Sequence, residues 1–197
     1  MYRNFWKRLL DVFFAVIILA VSFPILLAIA VAVRLDSKGP AIFSQRRLGK
    51  NGKEFNMYKF RTMVVDAEKG GVYSDNKDPR VTRVGSLLRK TSLDELPQCI
   101  NIIRGDMSFV GFRPPLTYHP WPFDDYSEQQ KRMFDVRPGI TGWAQVNGRR
   151  TVEWHKRIEL NVWYAENLTF WLDCKIVAMT VFKVLRNADN ENIGASL

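Results

Sequence analysis

Val12-Phe13-Phe14-Ala15-Val16-Ile17-Ile18-Leu19-Ala20-Val21-Ser22-Phe23-Pro24-Ile25-Leu26-Leu27-Ala28-Ile29-Ala30-Val31-Ala32-Val33 runs for 22 residues without a charge, between Asp11 and Arg34. A helix of that length can cross the hydrocarbon core of a bilayer. Arg3, Lys7 and Arg8 before it, with Ala28-Ile29-Ala30 inside it, also resemble a secretory leader. Asp11 and the length of the apolar run count against that reading. A straight span fits poorly for two further reasons. Pro24 stands near the middle, and bases flank both ends, with Arg34, Lys38, Arg46 and Arg47 following. The positive-inside rule then selects no orientation. Pro24 lacks an N–H and crowds the carbonyl of Ala20, a defect that the Ser22 hydroxyl could partly satisfy. A bent, re-entrant segment that enters and leaves by one face meets both observations, and is preferred to the straight span.

Beyond residue 36 the composition changes, and residues 37–197 read as one catalytic or binding domain following a membrane segment at 1–36. Ala41 to Leu48 and Glu54 to Met63 predict two strands joined at Asn51-Gly52, a strong hairpin signal. Alternation places Lys59 and Arg61 on one face of the second strand and Tyr58 and Phe60 on the other. Two bases on one strand face are as often a solvated edge as a site. Val65 to Arg80, with Gly70-Gly71 and Asp78-Pro79, predicts a surface loop that could move over a ligand.

Arg89-Lys90-Thr91-Ser92-Leu93-Asp94-Glu95-Leu96-Pro97-Gln98 sets two adjacent carboxylates among bases. Ser92 and Glu95 match the S-x-x-E capping box, predicting a helix that runs to Arg104 and stops at Gly105. Alternatively Asp94 is the N-cap and Pro97 sits at N3, and the two registers stay open. Acids in a first helical turn are most often caps. Yet a helix N-terminus also suits phosphate groups, so the same stretch is a candidate site.

Arg113 lies in Gly111-Phe112-Arg113-Pro114-Pro115, a stiff surround that suits an anion ligand. A polar helix is expected near Ser127 to Phe134. Arg137-Pro138-Gly139-Ile140-Thr141-Gly142, continuing through Gln145, Asn147 and Arg149, reads as a binding loop rather than a core element. Thr151 to Glu166 and Thr169 to Arg186 read as two helices separated at Asn167. The second, largely apolar, carries Asp173, which must face solvent or find a partner. Trp163, Tyr164, Phe170 and Trp171 cluster at the junction, as core first and as a membrane-interface belt second.

Composition narrows the classes. The 197 residues hold 29 Lys and Arg against 20 Asp and Glu, a net charge of +9, which calls for an anionic partner: nucleic acid, anionic lipid or nucleotide-sugar phosphate. Cys99 and Cys174 suggest neither a disulfide framework nor a zinc site, and isolated His119 and His155 argue against a His-based metal site or a Ser-His-Asp triad. Carboxylates in the basic site separate an enzyme from a membrane-anchored polyanion binder, which gains nothing from them.

Five segments taken together carry a resemblance: the proline-interrupted apolar segment, Tyr58-Lys59-Phe60-Arg61-Thr62-Met63, Leu93-Asp94-Glu95-Leu96-Pro97-Gln98, Gly105-Asp106-Met107-Ser108-Phe109-Val110-Gly111 and Arg137-Pro138-Gly139-Ile140-Thr141-Gly142. In this order and spacing, over nearly the whole chain, they resemble the small monotopic phosphoglycosyl transferases, the PglC-like bacterial sugar transferases. The resemblance implies an α+β fold, mainly helical, with an N-terminal re-entrant membrane helix, a helix-associated β-hairpin and amphipathic interfacial helices. It implies Mg2+-dependent transfer of a sugar 1-phosphate from a UDP-sugar to polyprenol phosphate with release of UMP, on the cytoplasmic face of the bacterial inner membrane, as the first membrane step of glycoconjugate synthesis. The lipid bilayer is then a partner, nucleic acid is not, and a homo-oligomer stays open. Carried over to this sequence, Asp94 is the nucleophile and a Mg2+ ligand, with Glu95 its acidic partner. Lys59, Arg89, Arg113 and Arg149 become phosphate ligands, and Gln145 and Asp173 further substrate-site candidates. The sequence departs from the family pattern at Ser22-Phe23-Pro24 in place of Ser-Pro, at Phe112-Arg113-Pro114 in place of Pro-Arg-Pro, and near Tyr118, where a glutamate is usual.

Overall fold

The apolar run forms the middle of α1, Lys7–Asp36, which follows a wider π-type turn at Tyr2–Trp6. At 1.5 Å per residue its 30 residues reach about 45 Å. The computed structural model describes residues 1–67, 71, 78–147 and 153–185. Among these, α1 alone is long and apolar enough to cross a membrane by length and composition. The helix continues unbroken through Pro24. Ser22 donates its hydroxyl to the Ile18 carbonyl at 2.5 Å, so it does not satisfy the carbonyl of Ala20 as the sequence suggested.

One side of α1 packs on the rest of the chain along most of its length. Ala15, Ile18 and Leu19 join Met57, Cys99, Ile102 and Met107, whereas Leu26, Ile29, Ala30 and Val33 join Phe60, Val84 and Leu88. Polar contacts fix both ends to the same body. Near the start, Arg8 donates to the carbonyls of Ile102 and Ile103, and Asp11 accepts the Phe109 N–H at 3.2 Å. At the end, Asp36 accepts the Val84 N–H at 2.9 Å, and Arg61 donates to the carbonyls of Ser37 and Lys38. The outer side leaves Phe13, Phe14, Ile17, Val21, Ile25 and Val31 exposed. Fully burying an exposed side chain of this kind is worth about 1.5 to 3 kcal/mol, and an apolar lipid surround would supply the share that these half-exposed residues lack.

Strands β1, Ile42–Leu48, and β2, Glu54–Phe60, pair antiparallel from Ile42↔Phe60 to Leu48↔Glu54, around a turn in which Asn51 has φ 56°. The second strand ends at Phe60, three residues earlier than predicted. Arg61 therefore does not share a strand face with Lys59. It turns inward, 4% exposed, to bind the carbonyls at the end of α1, where the helix dipole favours a cation.

Helices α2, Arg83–Thr91, and α3, Gln98–Arg104, follow. Gly105, at φ 96°, closes α3 as expected, donating to the carbonyls of Asn101 and Ile102. Then β3, Ser108–Val110, pairs in parallel with β4, Gly139–Thr141, and α5, Trp143–Asn147, comes next. Residues 139–141 and 143–147 of the segment read as a binding loop are therefore regular structure, a correction to that reading, and Arg149 at its end lies outside the described residues. The predicted polar helix is α4, Glu128–Lys131, capped by a Ser127–Gln130 box and extended by a 3-10 turn to Asp135.

The largest core joins Leu48, Val110, Phe112, Phe134, Ile158, Tyr164 and Ile176, with Phe112 edge-on to Phe134 at 5.1 Å between ring centroids. It is closed by α6, Trp154–Glu166, and α7, Phe170–Leu185. Of the aromatic cluster at their junction only Tyr164 is buried; Trp163, Phe170 and Trp171 are exposed.

Candidate active site

The carboxylate pair is presented by a break between helices. Thr82 caps α2 by accepting the Gly85 N–H at 3.0 Å, and Gly85 lets the helix lie directly on the exit of β2. A side-chain carbon at residue 85 would fall 2.1 Å from the Thr62 carbonyl oxygen. This approach brings Arg89 to Thr62, whose hydroxyl accepts its Nε–H at 3.0 Å. Ser92 then adopts the left-handed conformation, φ 56°, and ends α2. Leu93–Glu95 form a 3-10 turn, and α3 starts at Gln98 after Pro97. Neither capping register expected from the sequence is present. An N-cap needs extended backbone, and Ser92 is left-handed with no side-chain cap bond.

Asp94 stands among Glu95, Lys59, Arg113 and Arg89. Burial, and next the charge of Glu95, push its carboxyl up to about 6 against the opposing pull of the three bases. Lys59 on β2 is half-buried. Loss of solvent, and next the charge of Arg47, push its ammonium down to about 8, opposed by the two acids. Burial also lowers Arg89, with Asp94 and Asp78 opposing. Arg113 reaches Glu95 Oε1 through both terminal nitrogens at 3.4 Å. Its side chain is 61% exposed, so this long ion pair adds little stability and leaves the guanidinium accessible to an anion.

Five of the expected site residues thus converge: Lys59, Arg89, Asp94, Glu95 and Arg113. Arg149 lies outside the described residues. Gln145, on α5, donates to the Ile140 carbonyl at 3.3 Å, and its Oε1 is buried with no hydrogen-bond partner among the described residues. Asp173 belongs to a different cluster. One of its oxygens accepts from Lys7 Nζ at 2.5 Å and Tyr2 OH at 2.7 Å, the other from Tyr164 OH at 2.6 Å. At 5% exposure it is a buried clamp between the N-terminus and α7. Arg47 on β1, which alternation along the strand did not single out, also lies near enough for its charge to act on Lys59.

Among the described residues no three His, Cys, Asp or Glu side chains gather as metal ligands. Burial, and next the adjacent Glu95 carboxylate, raise the cost of ionising Asp94, which a hard divalent cation would offset. Mg2+ characteristically takes one or two carboxylates and completes its shell with phosphate oxygens and water. Asp94, with Glu95 beside it, fits such a cation.

A family model described as bacterial sugar transferase matches residues 2–187, which include every element above. The chain belongs to the bacterial sugar transferase family. This sugar transferase is 47% identical over 181 residues to the uncharacterized sugar transferase EpsL of Bacillus subtilis strain 168, covering 91% of the chain and 87% of the relative. It is 46% identical over 183 residues to the UDP-glucose:undecaprenyl-phosphate glucose-1-phosphate transferase of Escherichia coli K12, covering 90% of the chain but 39% of that protein. Over 185 residues it is 40% identical to the UDP-N-acetylgalactosamine-undecaprenyl-phosphate N-acetylgalactosaminephosphotransferase of Aeromonas hydrophila, covering 92% of the chain and 44% of the relative. The sugar transferase thus spans most of the first of these relatives and less than half of the other two.

Proposed function

We propose that this bacterial sugar transferase moves a sugar 1-phosphate from a UDP-sugar to polyprenol phosphate and releases UMP, with Asp94 as a covalent nucleophile. The observation that carries this reading is the half-buried Asp94–Glu95 pair facing Lys59, Arg89 and Arg113. Phosphoryl transfer needs an oxygen nucleophile and fixed positive charge where the transferred group gathers negative charge. An Asp94 oxygen attacks the β-phosphorus, the bond to the bridging oxygen breaks, and UMP leaves with that electron pair. The resulting acyl phosphate is reactive enough to pass its group to an oxygen of polyprenol phosphate, which restores the carboxylate. Bound Mg2+, held by Asp94 with Glu95 nearby, would neutralise charge on the pyrophosphate. UMP release from candidate UDP-sugars with short-chain polyprenol phosphate tests the reading: it should require both Mg2+ and acceptor for sustained turnover and stop in EDTA. No UMP from any UDP-sugar tried would count against it.

The charges set a pH profile. Asp94 must be ionised to attack, so kcat/KM should fall as pH drops through about 6. Lys59 must be protonated to hold phosphate, so kcat/KM should fall again as pH rises through about 8. A bell centred near neutrality is expected, and activity that stays level from pH 5 to 9 would contradict both assignments.

The same reading includes a re-entrant α1 and a catalytic domain on the cytoplasmic face. Both ends of α1 are bound to one body, through Arg8 and Asp11 at one end and Asp36 at the other. A helix crossing a hydrocarbon core of about 30 Å would place those ends on opposite sides. In a background without Cys99 and Cys174, cysteines placed at Arg3 and Lys38 should react with an impermeant label from the same side. Labelling from opposite sides would establish a straight span.

A further inference from the structure

The segment that presents Arg113 has an unusual anchoring problem. Pro114 and Pro115 follow the arginine and neither can donate a backbone hydrogen bond, so this stretch is held largely through its carbonyls. The structure supplies the donors from β1. One edge of that strand is paired with β2, where Arg47 lies opposite Phe55; its other edge meets the proline segment, where Arg47 forms an antiparallel bridge with Leu116. Leu48 donates its N–H to the Pro115 carbonyl at 3.0 Å, and Arg47 donates Nη1–H to the Pro114 carbonyl at 3.0 Å. The guanidinium is itself fixed through Nη2, which donates to Gln45 Oε1 at 2.5 Å. Arg113 reaches Glu95 only at 3.4 Å and is otherwise well exposed, so its backbone rather than this side-chain contact sets where it starts from.

We propose that Arg47 is the positioning residue of the phosphate site, clamping the Pro114 carbonyl so that Arg113 projects toward Asp94 and Glu95. The inference rests on the reading that Arg113 binds substrate phosphate. Burial lowers the proton affinity of Lys59 and His119, and the nearby charge of Arg47 adds to it at both. The planar fork explains the residue type. It bonds Pro114 and Gln45 at once from two nitrogens in fixed geometry, which a single ammonium cannot reproduce as rigidly.

A double-mutant cycle with kinetics separates positioning from general support. Arg47→Ala should lower kcat/KM for the UDP-sugar roughly tenfold or more, the scale of losing a charge-assisted contact, with the KM for polyprenol phosphate unchanged. In an Arg113→Ala background the same change should cost less than about threefold, because the residue it positions is already gone. Arg47→Lys should recover part of the loss. Arg47→Ala that multiplies the Arg113→Ala defect in full, or that leaves UDP-sugar kinetics intact, overturns the proposal. Should Arg47→Ala not fold, the cycle is run with Arg47→Lys, for which additivity with Arg113→Ala is again the contrary result. An active wild type with Arg113→Ala unimpaired would instead mark failure of the underlying phosphate assignment.

Discussion

Asp94→Asn is expected to lose UMP release by roughly a thousandfold or more while keeping its thermal stability, since removal of a covalent nucleophile is among the most costly changes an active site can suffer. The amide matches the carboxyl in shape, so packing in the 3-10 turn Leu93–Glu95 should survive. What disappears is chemical: an amide oxygen is a poor nucleophile toward phosphorus and a weak Mg2+ ligand. Burying a neutral group there also removes the repulsion with Glu95, which should leave the variant at least as stable as the parent at neutral pH. Steady-state UMP release and a melting curve on the same preparation check both parts. Residual turnover within tenfold of the parent would place the nucleophile elsewhere.

Asp173→Ala should fail in the opposite way. The carboxylate is buried and accepts from Lys7, Tyr2 and Tyr164, so its removal strands an ammonium and the Tyr2 hydroxyl without their acceptor and leaves Tyr164 only the Val110 carbonyl at 3.2 Å. Breaking one partner of a buried ion pair costs about 3 to 5 kcal/mol. For a chain of this size that is a fall in Tm of roughly 10 °C. Because the cluster pins the start of α1 to α7, the N-terminal end of the membrane segment should loosen first. Turnover per folded molecule should stay within a few-fold of the parent, since Asp173 contacts none of Lys59, Arg89, Asp94, Glu95 or Arg113 among its hydrogen bonds. A variant with unchanged Tm and lost turnover would return Asp173 to the reaction.

These two aspartates illustrate what a sequence discloses. Signals confined to a few residues were readable: Asn51-Gly52 does turn the hairpin, and Gly105 does stop α3 in the left-handed conformation. Ser92 misled because its capping motif competes with the end of the preceding helix. That helix takes Ser92 into left-handed backbone, from which it cannot cap. Asp173 was identifiable as an acid needing a partner, but the partner is Lys7, 166 positions away, and no local pattern names it. Arg47 is one of two adjacent bases on an alternating strand. Its importance appears only when the strand edge meets the proline segment near residue 115. The parallel pairing of β3 with β4 was likewise hidden, because three-residue strands separated by 28 positions carry too little periodicity to register.

The covalent route is tested most directly by giving the enzyme Mg2+ and a UDP-sugar labelled at the β-phosphorus, without acceptor, and quenching rapidly in acid. Protein-bound label should appear with UMP in matching amounts, discharge when polyprenol phosphate is added, and be absent from Asp94→Asn. Label that never becomes protein-bound, together with kinetics that require both substrates bound at once, would contradict the intermediate and leave direct transfer.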